Sequence, residues 1–170
     1  MKLSTQRLEL VAATPSLLRA ELESAAALAA ALGVATPLVW PPGLNTRETV
    51  EYTLRFLEGG PGREGWMTWY FILRESRQLA GLGGFAGLPA DGSVEIGYSI
   101  LEQYQRQGLA TEAMSALIER AFSQPVVETI MIQTLPELTA SIRTAERLGF
   151  TCAGPGAEAG VIRYELRRVS

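Results

Sequence analysis

A mixed α/β fold containing a parallel pair of strands is what this sequence predicts, on three observations. Stretches that alternate with period two (Arg7 to Ala12, Val94 to Leu101, Glu128 to Thr134) are interleaved with stretches whose apolar residues recur at helical spacing. The helical stretch Thr111 to Phe122 lies between two of the alternating ones, and such a crossover brings its flanking strands together in parallel. Neither an internal repeat nor a linker divides the 170 residues, which are enough for one sizeable core, so we expect one domain over 1–170.

Arg7 to Ala12 forms the first strand, with Leu8 and Leu10 on one side. Thr14 is placed to cap a helix beginning at Pro15. The alanine- and leucine-rich run is read as one helix to about Leu32, stopped by Gly33. Pro37, Trp40, Pro41 and Pro42 make Thr36 to Leu44 a loop. A second helix covers Arg47 to Glu58, with Val50, Leu54 and Leu57 on one face and Gly59-Gly60 after it. Strands follow at about Trp66 to Leu73 and Gln78 to Gly87, joined by a polar turn at Glu75 to Arg77. Ala90-Asp91-Gly92-Ser93 is a hairpin signal leading into Val94 to Leu101. Met114, Leu117, Ile118 and Ala121 give the central helix its apolar face, and Pro125 breaks the chain after it. Glu128 to Thr134 turns Ile130 and Ile132 inward. Leu138 to Leu148 is a helix stopped by Gly149, and strands near Thr151 to Ala153 and Val161 to Arg168 close the chain.

The net charge is −3 and the pI about 5.1, which argues against a broad electrostatic grip on nucleic acid or anionic lipid. One cysteine, Cys152, excludes an intrachain disulfide framework and fits a reducing compartment. There is no histidine, so histidine-activated nucleophile systems are excluded and zinc or haem sites are disfavoured. Chemistry must come from carboxylates, hydroxyls, backbone amides or a co-substrate. Met1 to Arg7 lacks a signal-peptide core and no apolar run would span a bilayer, so we expect a cytoplasmic protein without a membrane partner.

Residues 104 to 115 join a strand to a helix through a turn containing Gly108. Such a junction aims free N–H groups and the positive end of the helix dipole at one point, a seat for a phosphate or pyrophosphate. Gly108 lets a ligand approach the backbone, and Thr111 can cap the helix or donate its hydroxyl. The plainer alternative is a connection whose glycine only makes the turn.

Gly81-Leu82-Gly83-Gly84-Phe85-Ala86 fits a loose dinucleotide pattern but has the wrong surroundings, because Pro89 and Gly92 forbid a helix after it. It is read as a glycine-rich strand that bends or bulges. Val94 to Ile100 splits by period two into an apolar face (Val94, Ile96, Tyr98, Ile100) and a face of Glu95, Gly97 and Ser99. The second face is either a half-solvated surface or a cleft floor, where small residues admit a ligand and Glu95 takes a proton. Trp40, Trp66 and Trp69 read as core or as a substrate-side wall, and Cys152 as a small buried apolar residue.

In this order and spacing the chain resembles the GNAT superfamily of acyl-CoA N-acyltransferases, and within it the branch resembling ribosomal-protein N-terminal alanine acetyltransferases. The matches are Thr5 to Leu10, Gly81 to Gly87, Val94 to Ile100, Gln105 to Ala113, and Ala140 to Arg143 with Arg147 to Phe150. Gln105-Arg106-Gln107-Gly108-Leu109-Ala110 is similar to that family's pyrophosphate signature. The resemblance implies a mostly antiparallel central sheet splayed at a parallel pair, with acetyl-CoA as co-substrate and no metal. Backbone groups around Ile100 and Leu101 would pair with the pantetheine arm, which lies between the strands ending near Leu101 and Thr134. The amides of Gln105, Arg106, Gln107, Gly108, Leu109, Ala110 and Thr111 would hold the pyrophosphate.

It also implies direct transfer to an amine, with Glu95 as candidate base and Ser141 as the group that protonates or hydrogen-bonds the leaving sulfur. Leu138 stands where members often place an asparagine against the cofactor arm, and Ala145 where many place a tyrosine acid, so a tyrosine acid is excluded there. The reading is an N-acetyltransferase acting on a primary amine, either a small molecule or a protein N-terminus. A non-catalytic acyl-CoA-binding module of the same fold and a nucleotide-binding module are its alternatives. The last strands could pair two copies into a homodimer.

Overall fold

The computed structural model describes residues 1–43 and 45–169; the end of the expected Thr36 to Leu44 loop, at Leu44, lies outside the described residues. Eight strands form one sheet: β1 (Lys2–Ser4), β2 (Leu8–Ala12), β3 (Thr68–Leu73), β4 (Gln78–Phe85), β5 (Ser93–Ile100), β6 (Thr129–Thr134), β7 (Thr151–Pro155) and β8 (Ile162–Arg167). Their spatial order is β1-β2-β3-β4-β5-β6-β8-β7. Neighbours are antiparallel except β5 and β6, which run parallel, as the crossover through α4 (Leu109–Phe122) requires.

Two layers of helix cover the sheet. On one face Leu8, Leu10, Phe71, Val94, Ile96, Ile100, Ile130 and Ile132 pack with Leu109, Ala113, Met114, Leu117 and Ile118 of α4 and with Ala145 of α5 (Thr139–Arg147). On the other, Val11, Tyr70, Ile72 and Leu79 meet Leu18 of α1 (Pro15–Glu23), Leu28 of α2 (Ala25–Leu32) and Val50 of α3 (Arg47–Glu58). This second layer lies over β2, β3 and β4. It leaves the corresponding face of β5 partly uncovered.

The expected single helix from Pro15 to Leu32 is two. Ser24 is extended (φ −171°, ψ 163°), ends α1, and caps α2 by accepting the Ala27 N–H at 2.9 Å on its hydroxyl. Alanine propensity favoured continuity, but an eight-residue helix is marginal alone, and burial of Leu28 and Ala29 sets its direction instead. The strand β1, which adds an edge to β2, was not foreseen.

The glycines of β4 have a packing cause. A Cβ on Gly81 would lie 2.4 Å from the Ser99 carbonyl, and one on Gly84 would lie 1.9 Å from the Met67 carbonyl. The β3–β4 register shifts between Phe71 and Ile72, so the expected bend is a bulge. A Rossmann turn is absent here, because this stretch is strand as far as Phe85 and no helix follows it.

Candidate active site

β5 and β6 part company where a ligand could enter. Their pairing is confined to Ser93–Thr129, Val94–Ile130 and Glu95–Met131. On its other side β5 stays paired to β4 as far as Ile100. In that antiparallel ladder Glu95 accepts from the Ala86 N–H and the Leu101 N–H donates to Ala80 at 2.8 Å, so alternate residues Glu95, Gly97, Ser99 and Leu101 face β4. Tyr98 and Ile100 therefore turn their main-chain groups toward the gap. Of the expected pair, Ile100 faces the gap while the Leu101 amide is already used and its side chain is buried. Tyr98 was missed, because only the register reveals which residues of a strand face which neighbour. Thr134, at the end of β6, is 7% exposed and its hydroxyl has no partner. An orphaned buried hydroxyl costs roughly 1–3 kcal/mol, so a polar ligand between the strand ends would satisfy it.

A short 3-10 turn, Glu102–Tyr104, leads from β5 into the glycine turn. Gln105 ties that turn back to β5 by donating to the Ile100 carbonyl at 3.0 Å. Gly108 is the N-cap of α4, left-handed at φ 77°, and no side chain caps the helix. The first helical bond is Glu112 N–H to the Gly108 carbonyl, which leaves the N–H groups of Leu109, Ala110 and Thr111 without helical acceptors. Thr111 does not cap. Arg106 is also left-handed (φ 60°), which costs about 1–2 kcal/mol in a non-glycine residue and needs surrounding structure to hold it.

Arg7 supplies part of that support, unforeseen in the sequence. Its guanidinium donates to the Gln107 carbonyl at 2.7 Å and to the Glu112 carboxylate at 2.7 Å, while its amide also donates to Glu112. Desolvation acts to raise the Glu112 pKa, but hydrogen bonds from the Thr5 hydroxyl and from the Arg7 amide and guanidinium outweigh it, and the net shift is downward. A carboxylate in the first turn of an anion-seating helix is thus neutralised locally. Three free amides, at about 1.5–3 kcal/mol each to a charged acceptor, outweigh a net −3 that is spread over the surface and screened beyond about 8 Å.

The Glu95 face is bordered at both ends. Glu95 accepts from the Gln133 side-chain amide at 2.8 Å, and the Gln133 oxygen accepts the Ala157 N–H at 2.6 Å. The loop between β7 and β8 therefore closes one side. At the other end a Cβ on Gly43 would lie 2.3 Å from Ser99 Oγ, so the connection from α2 to α3 rests on Ser99. Between them Gly97 is exposed, with nothing within 4 Å of a Cβ built on it.

Leu138, Ser141 and Ala145 share one stripe of α5 and its N-cap, by their spacing of three and four. Burial deepens along it: Leu138 is 48% exposed, Ser141 half-buried and Ala145 fully buried in the core. Ser141 lies in the first turn, which begins five residues after Thr134 ends β6. No hydrogen bond joins it to Glu95, whose carboxylate accepts from Gln133.

The tryptophans separate. Trp66 and Trp69 are core residues around the Arg120 guanidinium, which lies 4.4 Å from the Trp66 ring centroid. Of the three, only Trp40 stands on the connection from α2 to α3. Cys152 is exposed, contrary to expectation, because β7 is the last strand of the sheet and the helical layer does not cover that residue.

A parallel pair that separates, followed by a glycine turn and an uncapped helix start, offers an open strand edge and three free amides, an arrangement that suits an extended ligand carrying an anionic group. The family model of the acetyltransferase (GNAT) domain matches residues 7–151. The chain is similar to YjdG, described as an uncharacterized N-acetyltransferase of Bacillus subtilis (strain 168): 30% identity over 128 residues, 75% of this chain and 76% of that protein. In fold it is similar to an acetyltransferase from Agrobacterium tumefaciens str. C58 (TM-score 0.69, 21% identity, covering 99% and 95% of the two chains). It is also similar to RimL, the ribosomal L7/L12 α-N-protein acetyltransferase solved with coenzyme A (TM-score 0.66, 21% identity, covering 98% of each). The chain belongs to the GNAT acetyltransferase family. It is an acyl-CoA-dependent acetyltransferase, with acetyl-CoA as its co-substrate. No helix among the described residues is long and apolar enough to cross a membrane.

Proposed function

We propose that residues 1–170 act as one N-acetyltransferase domain that moves the acetyl group directly from acetyl-CoA to a primary amine. The observation that carries this is the presence of two sets of free main-chain groups, one on the β5 edge at Tyr98 and the Ile100 amide and one at the N-terminus of α4 in Leu109, Ala110 and Thr111. The arm of the co-substrate lies along Tyr98 and Ile100, with Thr134 opposite and Leu101 and Leu138 as apolar neighbours. The amides and turn of Gln105, Arg106, Gln107, Gly108, Leu109, Ala110 and Thr111 receive the diphosphate.

Glu95, oriented by Gln133, takes the proton released as the amine nitrogen bonds to the thioester carbonyl carbon, directly or through a water. A β5 amide facing the gap polarises the carbonyl oxygen. The carbon–sulfur bond breaks, and Ser141 hydrogen-bonds or protonates the sulfur, leaving coenzyme A as the thiol. The acceptor is a small-molecule amine or a protein N-terminus. RimL, whose name assigns it a protein α-amine, lends support to the second through fold alone.

Calorimetry with acetyl-CoA, followed by thiol detection over a panel of small amines and of peptides with free N-termini, tests the proposal. Saturable heat and amine-dependent thiol release are expected. Absence of heat overturns the co-substrate site, and heat without thiol release across the panel favours a non-catalytic acyl-CoA-binding module.

A further inference from the structure

A carboxylate that the proposed chemistry does not use sits beneath the substrate-side connection. Glu21 lies on the inward side of α1, one turn after the fully buried Leu18. A leucine there would pack at no electrostatic cost. Instead Glu21 accepts three hydrogen bonds: from the Tyr70 hydroxyl at 2.5 Å, the Trp40 indole N–H at 3.0 Å and the Asn45 amide at 3.1 Å. Burial pushes its pKa above the ordinary carboxylate value, against the lowering effect of those three donors. Tyr70 is itself fully buried. Such a group adds little net stability over an apolar residue of similar volume, so its value lies in what it holds in place.

What it holds is the connection between α2 and α3. Trp40 and Asn45 come from that connection and Tyr70 from β3. Tyr70 pairs with Leu82 and Leu82 with Ser99, so Tyr70 and Ser99 share one cross-strand row and one face of the sheet. Pro42 is buried, and Gly43 rests on the Ser99 hydroxyl. The connection is thus pinned to Glu21 at Trp40 and Asn45, and between those pins it touches the end of the Glu95–Gly97–Ser99 floor.

We infer that Glu21 is a specificity-determining positioning residue, which fixes the wall of the acceptor site at Ser99 and thereby sets which amines reach Glu95. This rests on the reading of that floor as the acceptor side. Glu21→Gln keeps the shape and some of the hydrogen bonds. Trp40→Phe removes one donor and keeps the ring, and serves if Glu21→Gln does not fold.

Steady-state kinetics would use spermidine, phenethylamine and short peptides beginning with alanine, serine or methionine, with thiol detection, beside acetyl-CoA calorimetry on each variant. For folded Glu21→Gln the expected result is a roughly tenfold rise in acceptor KM, unequal across the panel, with kcat and acetyl-CoA affinity within about twofold of wild type. Trp40→Phe should move the same parameter less, and the double variant should be no worse than Glu21→Gln alone, because both act through one clamp. Unchanged acceptor KM and rank order in a folded variant overturn the inference, as does a fall confined to kcat. Loss of turnover in the wild type would instead overturn the proposed function.

Discussion

In the proposed site the co-substrate and the acceptor are recognised by different parts of the chain. On the co-substrate side the contacts are main-chain: the β5 edge, the left-handed Gly108 and the amides at the start of α4. On the acceptor side they are side chains, with Gln133 of β6 holding Glu95 of β5, and Glu21 of α1 holding Trp40 and Asn45 of the connection between α2 and α3. Main-chain recognition tolerates change in most side chains around it and depends on backbone geometry, so few positions can break it and each breaks it severely. Side-chain recognition spreads the same free energy over several hydrogen bonds, each worth about 0.5–1.5 kcal/mol, and it degrades gradually.

The largest effect should therefore come from the backbone of the turn. In Gly108→Glu a side chain would occupy a φ of 77° and put a negative charge at the diphosphate seat, against the Arg7 guanidinium that already lies 3.4 Å from a Cβ there. Acetyl-CoA binding should fall more than 100-fold by calorimetry while circular dichroism stays native; undiminished affinity would remove the turn as the seat. Next in size, Glu95→Gln should lower kcat by about 10²–10³, within the range for a general base, and leave acetyl-CoA affinity unchanged. Its pH–rate profile should lose the limb belonging to the base. If that limb persists, the proton goes elsewhere.

An intermediate effect is expected where charge rather than backbone supports the seat. Arg7→Ala leaves Glu112 unneutralised in the first turn of α4 and removes the donor to the Gln107 carbonyl. We expect acetyl-CoA Kd to rise about tenfold, in line with loss of one or two charge-assisted bonds. Adding Glu112→Gln should restore part of that affinity by removing the repulsive carboxylate. If the second change restores nothing, Arg7 serves the turn's shape alone.

The same division explains what could be read without coordinates. The Gly108 turn and the parallel pair were legible because their signal is local: Gly108 after an alternating strand and before a helical run specifies a turn, and the strands around α4 had to be parallel. The Glu95, Gly97 and Ser99 face was legible from period two alone. Gln133 was not, because its place beside Glu95 depends on the register of two strands far apart in sequence. Glu21 was not singled out, since its three donors come from residues 40, 45 and 70, far from it in sequence. Cys152 was misjudged for a related reason: a short strand gives no hint that it will be the edge.

The smallest effect separates orienting the base from being the base. Gln133 cannot turn its amide freely, because its oxygen is taken by the Ala157 N–H, so its nitrogen is aimed at Glu95. Gln133→Leu preserves approximate volume and removes both bonds. Loss of one hydrogen bond that only fixes a rotamer is worth about 0.5–1.5 kcal/mol, or roughly a 3–10-fold fall in kcat. The loop carrying Ala157 would lose its tie as well, so acceptor KM should rise modestly, while acetyl-CoA affinity, held by main-chain groups of β5 and of the α4 turn, should not move. Combined with Glu95→Gln, the change should have almost no further effect on kcat, because Gln133 can only assist a carboxylate that is there to be oriented. Additive losses in the double variant would mean that Gln133 contacts the acceptor itself, and the acceptor side would then extend across β6 to the β7–β8 loop.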